Sequence, residues 1–353
     1  MLDSSLVLSV VIPCRNEESY IAACLDSIAV CDFPKENLKV FVCDGLSDDK
    51  TVEIVKEYAF KYEWIELLVN EKQTTPFALN LGIKSSKSEY VTILGAHAEV
   101  GRDYFTKCVS DFLKDEAIAC TGGLLENVYD DEISEAIGYA QSHWFGVGNA
   151  HFRTGLKSGF VDTVAFGTYK RAVFEEIEYF DEELARNQDD EFNYRLIKSG
   201  YKIWLNTSAK TSYFVRGSIN KLWKQYFQYG YWKVFVNKKH KAVTTVRQLV
   251  PAVFVLCVLG MFVFTKISPP LSMLCFLAVG CYFFISFILG ILFLVRISGG
   301  SMKKARTNML APLLIMVSFF TLHFSYGLGY LKGIWNFLIL RKTPSKNSHT
   351  LSR

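Results

Sequence analysis

Ser9-Val-Val-Ile-Pro-Cys-Arg-Asn-Glu-Glu-Ser-Tyr-Ile-Ala-Ala-Cys-Leu-Asp-Ser-Ile28 passes from an apolar run through a polar loop into a helical pattern within twenty residues. Residues 9–12 read as a short buried strand, and Ile21, Cys24, Leu25 and Ile28 recur at helical spacing over 18–28. The alternation continues, with strands expected at 39–43, 65–69, 90–94 and 117–121 and helices at 49–61, 76–85 and 103–113 between them. Single helices between strands predict an α/β fold with a parallel sheet covered on both faces, and its ligands collect beyond the carboxyl ends of the strands. Three polar loops fall at those ends: Pro13-Cys-Arg-Asn-Glu17, Asp44-Gly-Leu-Ser-Asp-Asp-Lys-Thr51 and Gly95-Ala-His-Ala-Glu99.

Charge divides the chain in two. No Asp or Glu follows Glu191, whereas 22 of the 39 Lys and Arg do, so the first 191 residues hold 17 basic and 35 acidic side chains, net −18. With 50% hydrophobic and 15% aromatic residues the chain is not disordered, and nucleic acid is an unsuitable partner because the basic half is also the apolar half. Nine cysteines at irregular spacing form no CxxC pair, which excludes a disulfide framework or a zinc site and suits a reducing cytoplasm. The amino terminus, MLDSS, lacks a basic segment, and its apolar run is stopped by Pro13, so no signal peptide is expected.

Uncharged runs at 249–265, 271–295 and 309–331 are 17, 25 and 23 residues long, enough to cross a hydrocarbon core of about 30 Å. The turn at 266–270 makes the first two a hairpin, and Arg296, Lys303, Lys304 and Arg306 place the second connection in the cytoplasm. Three full crossings would then put Lys332, Arg341, Lys342, Lys346 and Arg353 outside, so either the charge rule breaks there or one segment is re-entrant or interfacial. Residues 219–241 interleave Trp223, Tyr226, Phe227, Tyr231, Trp232 and Phe235 with six lysines, a pattern suited to the headgroup layer. The expected organisation is a domain at 1–218, an amphipathic interfacial helix at 219–247, a transmembrane region at 248–341 and a tail at 342–353.

The loops have a chemical reading. A carboxylate such as Asp44 at a strand end accepts hydrogen bonds from a base or ribose, and Gly45 permits a sharp turn beside a ligand; Ser47, Asp49 and Thr51 equally suit capping of the next helix. No GxGxxG or GxxxxGK[ST] cradle is present. Asn187-Gln-Asp-Asp-Glu-Phe-Asn-Tyr-Arg195 opens a helix with three acids, which either complement the helix dipole or supply a general base.

Taken in order, Ser9-Val-Val-Ile-Pro-Cys-Arg-Asn-Glu-Glu18, Asp44-Gly-Leu-Ser-Asp-Asp-Lys-Thr51, Ala78-Leu-Asn-Leu-Gly-Ile83, Phe180-Asp-Glu-Glu-Leu184 and Gln188-Asp-Asp-Glu-Phe-Asn-Tyr-Arg195 resemble glycosyltransferase family 2 over residues 8–228. That family comprises inverting enzymes of the GT-A (Rossmann-like) fold, and the apolar carboxyl-terminal half adds a likeness to membrane-anchored, succinoglycan-type transferases of exopolysaccharide assembly. The resemblance implies a cytoplasmic-membrane enzyme moving one sugar from a nucleotide-diphosphate donor, UDP-linked in this reading, to a lipid-linked saccharide, alongside polysaccharide assembly proteins. Donor contacts fall to Pro13, Arg15, Glu17, Asp44, Ser47, Asp49 and Ala96, and Asp189 inherits the base role of the family's Glu-Asp pair. Gln188, Asp190, Gln225 and Tyr229 are assigned to the acceptor or interfacial side.

Two departures stand out. Where the family's Asp-x-Asp metal motif belongs, the chain reads Gly95-Ala-His97, so Mn²⁺ or Mg²⁺ would rest on His97, with Glu99 nearby in sequence. Gln188 replaces the Glu of the pair. The polymerase motif Gln-x-x-Arg-Trp is reduced to Gln225-Tyr-Phe-Gln-Tyr229, consistent with addition of a single sugar, and His143, Trp144, His151 and Arg153 are candidate acceptor contacts in the long segment 125–160. Two rivals remain at this point: a polyprenyl-phosphate glycosyl synthase, whose ionised acceptor needs no base, and a degenerate non-catalytic scaffold. A transporter fits poorly, because His323 is the only ionisable group of the spans.

Overall fold

A computed structural model of the chain describes residues 7–215, 217–299 and 309–344. Lys303, Lys304, Arg306, Lys346 and Arg353, on which the orientation argument partly rests, lie outside the described residues. The chain forms two units: one from the residues up to Asn127 with Asn149–Phe214, the other from Val128–Gly148 with the residues from Val215 on.

The first unit is built on β1 (Leu8–Cys14), β2 (Leu38–Asp44), β3 (Ile65–Val69), β4 (Tyr90–Ile93), β5 (Ala98–Val100), β6 (Ile118–Val128), β7 (Gly159–Val161), β8 (Ala165–Lys170) and β9 (Lys202–Phe214). Its sheet runs β3-β2-β1-β4-β8-β6-β9-β5, with β7 added against β9. The expected parallel sheet holds for β3, β2, β1 and β4 only; β8 pairs antiparallel with β4 and β6, and β9 antiparallel with β5 and β7, so the sheet is mixed. Sequence periodicity missed this because β9 runs for thirteen residues, its polar Asn206-Thr-Ser stretch masking the alternation that resumes to Phe214.

Helices α1 (Ile21–Ala29), α2 (Thr51–Lys61) and α4 (Tyr104–Asp111) pack with Val10 and Ile12 of β1 on one face, while α3 (Thr75–Ser85) packs with Val11 on the other. That split follows the two-residue alternation of a strand buried on both sides. After α5 (Glu132–Ser142) and α6 (Trp144–Val147) of the second unit, the chain returns through α7 (His151–Thr154), α8 (Ala172–Glu176) and α9 (Gln188–Lys198). Phe174 and Phe192 stack at 4.7 Å beneath the sheet, and Arg195 ties α9 down through Glu191 and the carbonyls of Ile177, Glu178 and Tyr179.

Two of the sequence motifs meet here. Buried Asn80 on α3 donates from Nδ2 to Phe180 O and Glu182 Oε1, both at 2.9 Å, and its Oδ1 accepts the Phe180 N–H at 3.0 Å. One amide thus fixes the loop that delivers α9 to the sheet.

In the second unit, Asp131 and Ser134 form a reciprocal cap on α5. Helices α10 (Ile219–His240), α11 (Leu249–Val263), α12 (Pro269–Ser298) and α13 (Ala311–Gly333) follow, and three segments, Val246–Val263, Pro269–Ser298 and Ala311–Ile339, are long and apolar enough to cross a membrane. Helices α10 and α13 approach along a glycine seam: any Cβ at Gly230 would run into the backbone of Tyr326, and one at Gly329 into that of Phe227. Trp232 and Phe235, expected at headgroups, are instead buried against Phe337, while Lys221, Lys224, Lys239 and Lys241 remain exposed. His323 has both ring nitrogens engaged, Nδ1 with Tyr282 Oη at 2.9 Å and Nε2 with Gly146 O at 3.1 Å, a structural role that leaves no polar pathway to explain.

Replacing Asn80 by Ala leaves the buried Phe180 N–H and C=O without their partner, and should destabilise the protein by about 1–3 kcal/mol. Thermal unfolding of the detergent-solubilised chain checks this; an unchanged transition would show that the clamp contributes nothing.

Candidate functional site

The loops after β1 and β2 are laced into one surface. Asp44, buried at the end of β2, accepts the Ser47 N–H at 3.0 Å and the Ser47 hydroxyl at 2.5 Å. The same hydroxyl accepts the Asn16 N–H at 2.8 Å, and Asn16 Oδ1 accepts the Asp48 N–H at 3.0 Å. Farther along, Glu17 N–H donates to Thr51 Oγ1 at 2.8 Å, and Glu18 N–H to Asp49 Oδ2 at 3.2 Å. Burial alone would raise the Asp49 carboxyl, but hydrogen bonds from Thr51 and the Glu18 N–H hold it below the usual carboxylate range. The side chains of Ser47 and Asp49, expected at the donor, join the two loops. The Arg15 stem lies 3.5 Å from where a Gly45 side chain would begin, and Pro13 is the penultimate residue of β1.

At the end of β4 the chain turns through Gly95 and Ala96 into β5. Ala96 is buried among core residues, so only its backbone is available to a ligand. His97 projects from the turn, half-buried, with Nδ1 facing Oε1 of buried Glu17 at 3.4 Å and its ring edge-on to Tyr213 at 5.4 Å. Strand pairing fixes this contact, since Tyr213 of β9 lies opposite Ala98 of β5. Burial pushes the Cys24 thiol up, and the carboxylates of Glu99 and Glu17 push it further, so both acids border one spot.

The glycine in the metal-motif position has a steric cause. A Cβ at Gly95 would sit 3.0 Å from Phe166 Cε1, and Phe166 is held there by an unusual backbone, φ +50°, with its carbonyl accepting from Tyr104 Oη at 2.8 Å. A bulky residue at positive φ is a strained outlier of the kind that gathers at functional sites. A side chain at position 95 would therefore meet the edge of the Phe166 ring, which would have to give by a few tenths of an ångström to admit it.

Asp189 is exposed in the first turn of α9, which begins from Asn187 in the left-handed conformation, φ +64°. Its helix is oriented by Asn193, one turn on, which accepts from Tyr169 Oη at 3.1 Å and donates to Thr163 at 3.0 Å. Burial first, then Cys120 and Asp189, push the Tyr169 phenol well up, keeping it a neutral donor. Gln188 and Asp190 flank Asp189, and the Gln188 Oε1 is buried without a hydrogen-bond partner among the described residues. Gln225 and Tyr229 belong to the second unit, where Gln225 Nε2 donates to Tyr229 Oη at 2.9 Å along α10. Sequence reasoning missed Tyr213, Phe166 and the Tyr20 and Phe214 pair at 5.5 Å; the only available signal was the late alternation of β9.

Among the described residues no three His, Cys, Asp or Glu side chains converge as a full metal cage. A divalent ion carried on a diphosphate needs only one or two protein ligands, the phosphates and water completing its shell. His97 has the Glu17 carboxylate 3.4 Å from its Nδ1, and a carboxylate beside one ring nitrogen is the kind of neighbour that orients an imidazole.

Comparison with known proteins gives a consistent picture. The sequence profile described as Glycosyl transferase family 2 matches residues 9–178. A dolichyl N-acetyl-alpha-D-glucosaminyl phosphate 3-beta-D-2,3-diacetamido-2,3-dideoxy-beta-D-glucuronosyltransferase of Methanococcus voltae is 33% identical over 239 residues, covering 66% of this chain and 74% of that protein. The succinoglycan biosynthesis protein ExoA of Rhizobium meliloti is 30% identical over 244 residues, covering 69% and 73%. Among solved structures, the mannosyltransferase PcManGT from Pyrobaculum calidifontis, in complex with GDP-Man and Mn²⁺, superposes over 94% of this chain and 89% of its own with a TM-score of 0.58 at 16% identity, a likeness of fold.

Restoring a carboxylate by Gly95→Asp should overpack the Phe166 ring and destabilise the protein by about 1–3 kcal/mol, with Phe166→Ala in the same chain recovering part of the loss. Thermal unfolding of the single and double variants measures this; a single variant as stable as the parent would show that Phe166 does not close the position.

Proposed function

The chain belongs to glycosyltransferase family 2, and on that premise we propose that it moves one sugar, with inversion, from a nucleotide-diphosphate donor to a lipid-linked saccharide of a cell-surface polysaccharide. The observation that carries the reading is the gathering of Asp44, Glu17 and His97 at the carboxyl edge of the sheet, where such folds bind nucleotides. The relatives' names support the acceptor class: one acts on a dolichyl-phosphate-linked sugar, the other in succinoglycan biosynthesis. Apolar helices of the second unit anchor the chain in the cytoplasmic membrane, with the chemistry on the cytoplasmic face.

Asp44 and the Arg15 loop receive the base and ribose. Glu17 holds His97 toward the diphosphate, and a bound Mn²⁺ or Mg²⁺ would supply charge neutralisation at the leaving phosphates. Asp189, exposed and on a helix fixed by Arg195 and Asn193, accepts the proton of the acceptor hydroxyl as that oxygen bonds to the anomeric carbon. The bond from the anomeric carbon to the phosphate oxygen breaks with its electrons left on the nucleoside diphosphate, so one displacement inverts the anomeric configuration.

Asp189→Asn should keep nucleotide affinity and lower turnover by about 10²- to 10⁴-fold. Transfer to a polyprenyl-diphosphate-linked saccharide, followed by nucleotide release and by NMR of the product anomer, tests both parts. Undiminished turnover removes the base role, and a retained anomer rejects the single displacement.

A further inference from the structure

Helix α7 is one turn, closed by Gly155 in the left-handed conformation, φ +63°, whose N–H donates to His151 O at 2.9 Å. Within that turn His151 Nδ1, Arg153 Nη1 and Thr154 Oγ1 are all buried without a hydrogen-bond partner among the described residues. Buried polar atoms without partners are few in native proteins, and three in four residues mark a place prepared for a group that is not part of the chain.

The guanidinium of Arg153 is positioned rather than loose. Its Cζ lies 5.6 Å from the Phe152 ring centroid and 5.7 Å from that of Tyr213. Tyr213 is also the ring against which His97 packs, so Arg153 and His97 border one aromatic side chain. Acids predominate at this edge, with Glu17, Asp44, Asp49 and Glu99 on its loops and strands against Arg15, Lys50 and Lys72 in the loops after β1, β2 and β3, and the first 191 residues carry a net charge of −18. A phosphate-bearing ligand entering that field requires a fixed cation. Arginine cannot lose its proton, and an aromatic stack holds its fork ready for phosphate oxygens.

We propose that Arg153 binds the diphosphate of the nucleotide-sugar donor and stabilises it as it leaves; this deepens the glycosyl-transfer reading and rests on it. The sequence placed Arg153 among acceptor contacts, and its partnership with Tyr213 moves it to the donor side. As the acceptor oxygen joins the anomeric carbon and its proton passes to Asp189, an Arg153 N–H donates to the phosphate oxygen that takes up the electron pair of the breaking bond.

The test compares UDP with UMP, and GDP with GMP, by calorimetry on the full chain in detergent with Mn²⁺ present. Arg153→Ala should weaken the bound diphosphate by about 10- to 100-fold while leaving the monophosphate nearly unchanged, and Arg153→Lys should restore part of the preference. An unaltered diphosphate preference in Arg153→Ala, with the unfolding temperature of the parent, overturns the proposal. So does a rise in acceptor KM with diphosphate affinity intact, which would assign the arginine to the phosphate of the lipid-linked acceptor. Failure of the parent chain to bind any of the four nucleotides would instead remove the glycosyl-transfer reading itself.

Discussion

The carboxyl edge of the sheet is organised by one buried carboxylate. Glu17 leaves β1 with its N–H on Thr51, at the start of α2, and its side chain against His97, at the start of β5. The loop after β1, the start of α2 and the start of β5 therefore meet at one residue, its backbone N–H bonded to Thr51 and its buried carboxylate facing His97. Around it the Asn16, Ser47 and Asp44 bonds make the two loops a single rigid surface. His97 acquires a defined orientation from Glu17 on one side and Tyr213 on the other, which is the preorganisation a donor site needs.

The opposite wall depends on a second polar anchor. Asn80 joins α3 to the loop before α9, and Arg195 and Asn193 then set the helix so that Asp189 of its first turn is exposed while Glu191 is buried against Arg195. The strained Phe166 stands between these two walls, on β8 beside β4. Its ring edge lies 3.0 Å from where a side chain at Gly95 would begin.

The parallel half of the fold was legible because β1 to β4 alternate with helices and are apolar enough to be buried on both faces. Loop positions followed from that, so the loops that carry Glu17, Asp44 and His97 were placed from sequence at the carboxyl ends of β1, β2 and β4. The antiparallel half was not legible. The half-buried β9 mixes polar and apolar residues, and its pairing with β5 and β7 joins segments about a hundred residues or about fifty residues apart. Tyr213 and Phe166 owe their importance to those long-range pairings, which no local pattern records. Nor did composition separate Val128–Gly148 from its neighbours, although that segment belongs with the carboxyl-terminal helices through contacts such as Gly146 O to His323. The glycine seam of α10 and α13 was likewise hidden, since interleaved lysines and aromatics over 219–241 read equally well as a surface helix.

The central claim is that a Glu17-oriented His97 couples a divalent ion to the donor's diphosphate. Its most direct measurement is calorimetric titration of UDP and of GDP into the full chain with and without Mn²⁺, for the parent and for His97→Ala. The account predicts that one nucleotide binds, that Mn²⁺ tightens it, and that the Mn²⁺ effect disappears in His97→Ala. A Mn²⁺ effect of the same size in both proteins would contradict it.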